Sequence, residues 1–180
     1  MLKLATALTA FTLAATPLAA QSEAFHAGPV FTEFGQIADV ETTMAIPVDA
    51  QFAVAFDTAT RAEPGEINRT LNSAARFINM HVAAGVPREN IRVAVVVHGQ
   101  ASLDLTRAEF YAARQDGAEN ANAAAIEALL ANNVQFILCG QTAAYYEIDV
   151  EDLVPGVDMA RSAMTAHALL QQDGFTLNPF

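Results

Sequence analysis

Beyond about residue 50 the apolar positions repeat in two periods. From Gln51 to Asp57, Phe52, Val54 and Phe56 fall on every second residue, the pattern of a strand with one face turned inward. From Asn68 the period lengthens. Leu71, Ala74, Ala75, Ile78 and Val82 share one helical face, with Asn68 placed as N-cap and Gly85 followed by Pro87 as a stop. Ile91 to Val97 is apolar apart from Arg92, as expected of a strand covered on both faces in a parallel sheet. Thr106 and Glu109 have capping-box spacing, which predicts a short helix from Thr106 to Arg114. A further helix opens at Asn120, carries Ile126, Leu129 and Leu130 inward, and stops at Asn132-Asn133. Val134 to Leu138 reads as a strand ending at Cys139-Gly140, followed by a short helix from Gln141 to Tyr146. Pro155-Gly156 is a turn before a brief strand, Val157 to Met159. Ser162 to Gln172 is a helix stopped by Gly174, and Phe175 to Asn178 is a last strand.

Strands separated by helices require crossover connections. The fold class is therefore α/β, with five mainly parallel strands and helices on both faces. The order of the strands in space is not readable from this pattern.

The first fifty residues behave differently. Lys3, an apolar run from Leu4 to Ala15, Pro17 and the small pair Ala19-Ala20 have the layout of a secretory signal, expected to be removed after Ala20. That run is well short of the roughly twenty residues that span a bilayer. Residues 21–50 contain Gly28-Pro29, Phe34-Gly35 and Ile46-Pro47 without a period and read as an arm packed on one domain, residues 51–180. The expected location is the periplasm. Lys3 is the only lysine, and the formal net charge of the chain is −11. Such a surface repels phosphate backbones and anionic headgroups, so neither nucleic acid nor, once the leader is gone, a membrane is an expected partner.

A single cysteine allows no internal disulfide. In an open parallel sheet ligands bind beyond the carboxyl ends of the strands, where the following helices point their N-termini. Asp57, His98 and Cys139 each follow a strand and fall at that edge. A thiol there has its pKa lowered by backbone amides and nearby positive charge. Gly140 permits close approach, and Gln141 and Thr142 supply donors. Burial as a packing residue is the competing reading for Cys139, since free cysteine is among the most buried residue types. Asp57 is read foremost as a turn former or helix cap. Asn68, Asn79, Asn120 and Asn122 are candidates for lining the edge, with capping as the first explanation for Asn68 and Asn120. The four histidines are scattered, with no pair at ligand spacing, so no metal and no cofactor is expected. Cys139, Met164 and His167 are soft-ligand types whose separations do not fit one compact loop.

Several stretches together resemble the DsrE/DsrF-like family, especially its exported single-domain members. They are Ala75 to His81 (ARFINMH), Ala94 to Gly99 (AVVVHG), Cys139 to Ala143 (CGQTA), Leu153 to Val157 (LVPGV), Ser162 to Ala166 (SAMTA) and the terminal Pro179-Phe180. The resemblance implies a three-layer α/β/α fold around a mainly parallel five-stranded sheet, homo-oligomers, and sulfur relay through a cysteine persulfide, which lands on Cys139. The leading expectation is thus a sulfur carrier. Cys139 would accept sulfur from a small sulfur species or a partner's persulfide, aided by His98, with Gly99, Gly140, Gln141, Thr142, Asn79 and Asn122 around the ligand. The rivals are an oligomeric binding module of the same fold without turnover, and a redox-sensing thiol that pairs between subunits.

Overall fold

The computed structural model describes residues 24–63 and 65–178. The expected leader lies outside the described residues, as do Gln21 to Glu23 and the terminal Pro179-Phe180. The arm carries two short strands, β1 (Phe25–His26) and β2 (Ile37–Ala38), paired antiparallel. Two-residue strands have no period, and the sequence pattern missed them. The main sheet holds β3 (Phe52–Thr58), β4 (Ile91–Val97), β5 (Gln135–Cys139), β6 (Val157–Ala160) and β7 (Thr176–Asn178), all parallel. Its order is β6-β5-β4-β3-β7. The chain lays four strands side by side, then returns across the sheet to place β7 outside β3.

The helices are α1 (Arg69–Ala83), α2 (Ala108–Arg114), α3 (Ala123–Ala131), α4 (Gly140–Tyr146) and α5 (Ala163–Gln172), with a 3-10 segment, Gly99–Leu105, after β4. Alternation along the strands separates two cores. On one face Val54, Phe56, Val93, Val95, Val97, Phe136 and Leu138 meet Leu71, Ala74 and Ile78 of α1 and Ile126 and Leu129 of α3. On the other, Ala55, Ala94 and Val96 meet Ala166 and Leu170 of α5, with Phe175. Burial of each large apolar side chain contributes roughly 1.5–3 kcal/mol, so the first core, with both Phe56 and Phe136 sealed, supplies most of the stability. The second is thin and alanine-rich, which lets α5 ride close to the sheet.

Two helix starts differ from the sequence expectation. Asn68 caps α1, its Oδ1 accepting the Thr70 N–H at 2.9 Å. Thr106 does not cap α2. Its hydroxyl donates back to Leu103 O at 2.7 Å, and the helix begins only at Ala108 with no side-chain cap. Asn120 likewise lies ahead of α3, where Asn122 occupies the cap position. Asn120 donates to Asp104 O and Thr106 O and accepts the Asn122 N–H. It ties loops together in the interior.

Candidate functional site

The side chains at the carboxyl edge are placed by strand parity. Asp57 follows Ala55, His98 follows Val96 and Cys139 follows Ile137 at a step of two, and Ala55, Val96 and Ile137 all belong to the α5 face. His98 keeps an extended backbone (φ −148°, ψ −173°), so the alternation continues through it. Val97 pairs with Leu138. One step further along that register, His98 stands beside Cys139.

The fourth member comes from α5. Ser162 caps this helix by accepting the Thr165 N–H at 3.0 Å, which fixes its first turn over the strand ends. His167 then reaches Asp57. Its Nε2–H donates to Asp57 Oδ1 at 2.7 Å, while the Nε2–H of His98 donates to Asp57 Oδ2 at 3.0 Å. Each carboxylate oxygen thus accepts from a different imidazole. Burial pushes the Asp57 carboxyl up, but the hydrogen bonds from His167 and His98 outweigh it and hold the group below its ordinary value.

Cys139 ends β5 and occupies the N-cap position of α4. The residue as a whole is only 6% exposed, yet it lines an open cleft of about 330 Å³ with Asp57, His98, Gln141, Ser162, Ala163, Met164 and His167. Burial pushes its thiol up. Donor groups of Thr142, first its hydroxyl and then its backbone amide, with the amides of Ala163 and Gln141, favour the thiolate and bring the thiol below its ordinary value. The Thr142 hydroxyl oxygen meanwhile accepts the Gly99 N–H at 3.3 Å, which leaves its proton free for the sulfur. Gly99 holds the left-handed backbone (φ +55°) that aims this amide, and it acts through Thr142 rather than on the cleft itself. Gly140 is a case of close approach, since a Cβ there would lie 2.7 Å from Ala160 O on the neighbouring strand. A larger concavity of about 570 Å³ follows β3 between Asp57 and Thr70, but it shares only Asp57 with the reactive cleft. The thiol and the two imidazoles gather in the smaller one.

A comparison with family models matches residues 50–179 to the DsrE/DsrF-like family. The chain belongs to this family. A comparison with curated proteins finds no match. Among solved structures, the DsrE/DsrF-like chain is similar to the protein of unknown function MTH1491 from Methanobacterium thermoautotrophicum (19% identity, TM-score 0.47) and to the ychN protein from E. coli (18%, 0.49). In each case 73% of this chain and 99% of the other are covered.

Two predicted site residues of this DsrE/DsrF-like protein are not at the cleft. Asn79 is sealed within α1, eleven positions past its cap and so about 16 Å along the helix axis from the carboxyl edge. Its Oδ1 accepts the N–H groups of Val30 and Phe31, and its Nδ2 donates to Phe31 O and Gly35 O. It anchors the arm. Asn122 is 1% exposed and accepts the Asn68 N–H at 2.7 Å, joining the starts of α1 and α3 beneath the surface. Conversely, Asp57 and His167 belong to the cleft, where sequence reading favoured a turn former and a scattered histidine. The signal for Asp57 was its two-residue step from Ala55. His167 had none, because it depends on how α5 crosses the sheet. Met164, 79% exposed, lies on the cleft's lip, so the three soft-ligand types do converge. Among the described residues, however, no three of His, Cys, Asp and Glu are placed to hold a metal. His81 is accounted for by packing, with its ring 4.3 Å from Phe52 and 4.1 Å from Phe77.

Proposed function

We propose that this protein is a sulfur carrier that accepts sulfane sulfur on Cys139 as a persulfide, acting in the periplasm as a homo-oligomer. The observation that carries the reading is the thiol itself. It stands at the N-terminal end of α4, has its pKa lowered by the donor groups of Thr142, Ala163 and Gln141, and lines a cleft large enough for a small donor. Those donors favour the thiolate, the form that attacks sulfur. The terminal –S⁻ of a persulfide would sit against the same groups. His98, just past the end of β4 and lining the same cleft, adds a donor to the developing anion when its ring is protonated.

In the transfer, the Cys139 thiolate attacks the outer sulfur of a donor R–S–SH. A Cys139 Sγ–S bond forms, the S–S bond of the donor breaks, and the electron pair leaves on R–S⁻. No external oxidant or reductant is involved. Intact-mass measurement after incubation with thiosulfate, polysulfide or a small-molecule persulfide tests this directly. The expected result is one added sulfur atom, removable by a reductant and lost in Cys139→Ser. A protein that gains no sulfur from any of these donors is not a carrier, and the binding-module reading then stands.

A further inference from the structure

The sulfur-transfer reading leaves one arrangement without a role. A single carboxylate holds two imidazoles, one from the end of β4 and one from α5, through the same ring nitrogen of each. The geometry fixes tautomers. With Nε2–H committed to Asp57, the neutral form of each ring keeps its free lone pair on Nδ1, so any proton exchanged with a ligand passes through Nδ1. It also fixes position. Ala163 and His167 are four residues apart and therefore share one face of α5. Ala163 lines the cleft beside Cys139 while His167 grips Asp57. One helix face thus joins the nucleophile to the carboxylate that orients His98.

Resting on the sulfur-transfer reading, we propose that His98 is the acid that protonates the departing thiolate, and that Asp57 and His167 are positioning residues which hold it for that step. The titratable groups facing the cleft are Asp57 from β3, His98 after β4, Cys139 from β5 and His167 from α5. Protonated His98 carries its mobile proton on Nδ1, with the positive charge balanced by Asp57. As R–S⁻ leaves, that proton passes to it and gives R–SH. The new Cys139–S–SH then returns a proton to His98 Nδ1, leaving Cys139–S–S⁻. The net change is Cys139–S⁻ plus R–S–SH giving Cys139–S–S⁻ plus R–SH, with His98 restored. His167 meets Asp57 from the α5 side. Its part is to keep Asp57 from turning away from His98, which a lone carboxylate at a strand end would be free to do.

Disulfide probes test the step without any persulfide. An aromatic disulfide expels a stable thiolate that needs no proton, whereas a simple alkyl disulfide expels a basic one that does. Attack by Cys139 on each is followed at neutral pH in wild type, His98→Gln, Asp57→Asn, His167→Ala and His167→Gln. Removal of a general acid costs about 10²–10⁴-fold. On that scale His98→Gln is expected to slow the alkyl probe about a hundredfold, and Asp57→Asn and His167→Ala about tenfold. The alkyl rate is read relative to the aromatic rate of the same variant, which cancels any change the substitution makes to the thiol itself. His167→Gln, which can still donate to Asp57, should recover most of the alkyl rate. Equal slowing of both probes, or unchanged selectivity in all variants, overturns the assignment. A protein that shows the selectivity but never gains a sulfur atom keeps this proton path and loses only the carrier role.

Discussion

Asn79→Ala should release the N-terminal arm while leaving the sheet intact. The side chain makes four hydrogen bonds of 2.9–3.0 Å, two accepted from Val30 and Phe31 and two donated to Phe31 O and Gly35 O. Each such bond contributes about 1 kcal/mol net, so their joint removal costs about 4 kcal/mol. That sum is a ceiling, because an arm that lifts off lets water satisfy the orphaned groups. Amide hydrogen exchange at Gly35 separates the two effects. Its N–H donates to Asn72 Oδ1 at 2.7 Å, a bond the substitution does not touch, so its protection reports docking alone. Since 1.4 kcal/mol is a tenfold change in an equilibrium constant, exchange at Gly35 should accelerate by about two to three orders of magnitude. The urea midpoint should fall by less than 4 kcal/mol implies. If Gly35 stays as protected as in wild type and the midpoint barely moves, Asn79 is not the anchor.

Four further outcomes follow from the same geometry. Thr142→Val removes the hydroxyl donor to the sulfur, so the pH profile of Cys139 alkylation should shift to higher pH, while Thr142→Ser should restore it. Asp104 is 1% exposed, and burial outweighs its bonds from Asn68 and Ala62 to raise its pKa. The folded state therefore holds this proton more tightly than the unfolded chain, and stability is lost as pH rises from the ordinary carboxyl value through the raised one. Asp104→Asn should abolish that loss and raise the urea midpoint at neutral pH. Asp57 has the opposite sign, its lowered pKa giving stability that is present above the ordinary value and lost as pH falls through the folded one. Asp57→Asn should flatten the acid limb of a stability-pH curve. Gly140→Ala places a methyl carbon against Ala160 O, so β6 must shift, and thermal melting should show a lower midpoint together with slower Cys139 alkylation.

What the sequence made legible was local. β4 was read to the residue because seven consecutive positions carry their own pattern, and Asn68 was read as a cap because a cap acts within three residues. The capping-box reading of Thr106 failed for the reason such boxes often do. The hydroxyl had a nearer acceptor in Leu103 O, and the backbone turned helical two residues later. Asn79 was misplaced by treating a polar residue of a helix as if it stood at the helix start. Its partners lie 44 to 49 positions away in the arm, beyond any periodic signal. The cleft itself was half legible. Strand ends put Asp57, His98 and Cys139 at one edge, but the link from His167 to Asp57 spans 110 residues and depends on the return crossing of α5, which no local pattern encodes.

The outward position of β7 also bears on how the molecule is made. Val54 of β3 pairs with Thr176, so one flank of that strand stays without a neighbour until a segment more than a hundred residues further along the chain is in place. Pairings this remote in sequence form slowly. Until that pairing forms, β3 carries an unprotected edge, and Phe175, which leads into β7, has no fixed place beside α5. The second core, which seats α5 and with it His167, closes only when the two ends of the sheet domain meet.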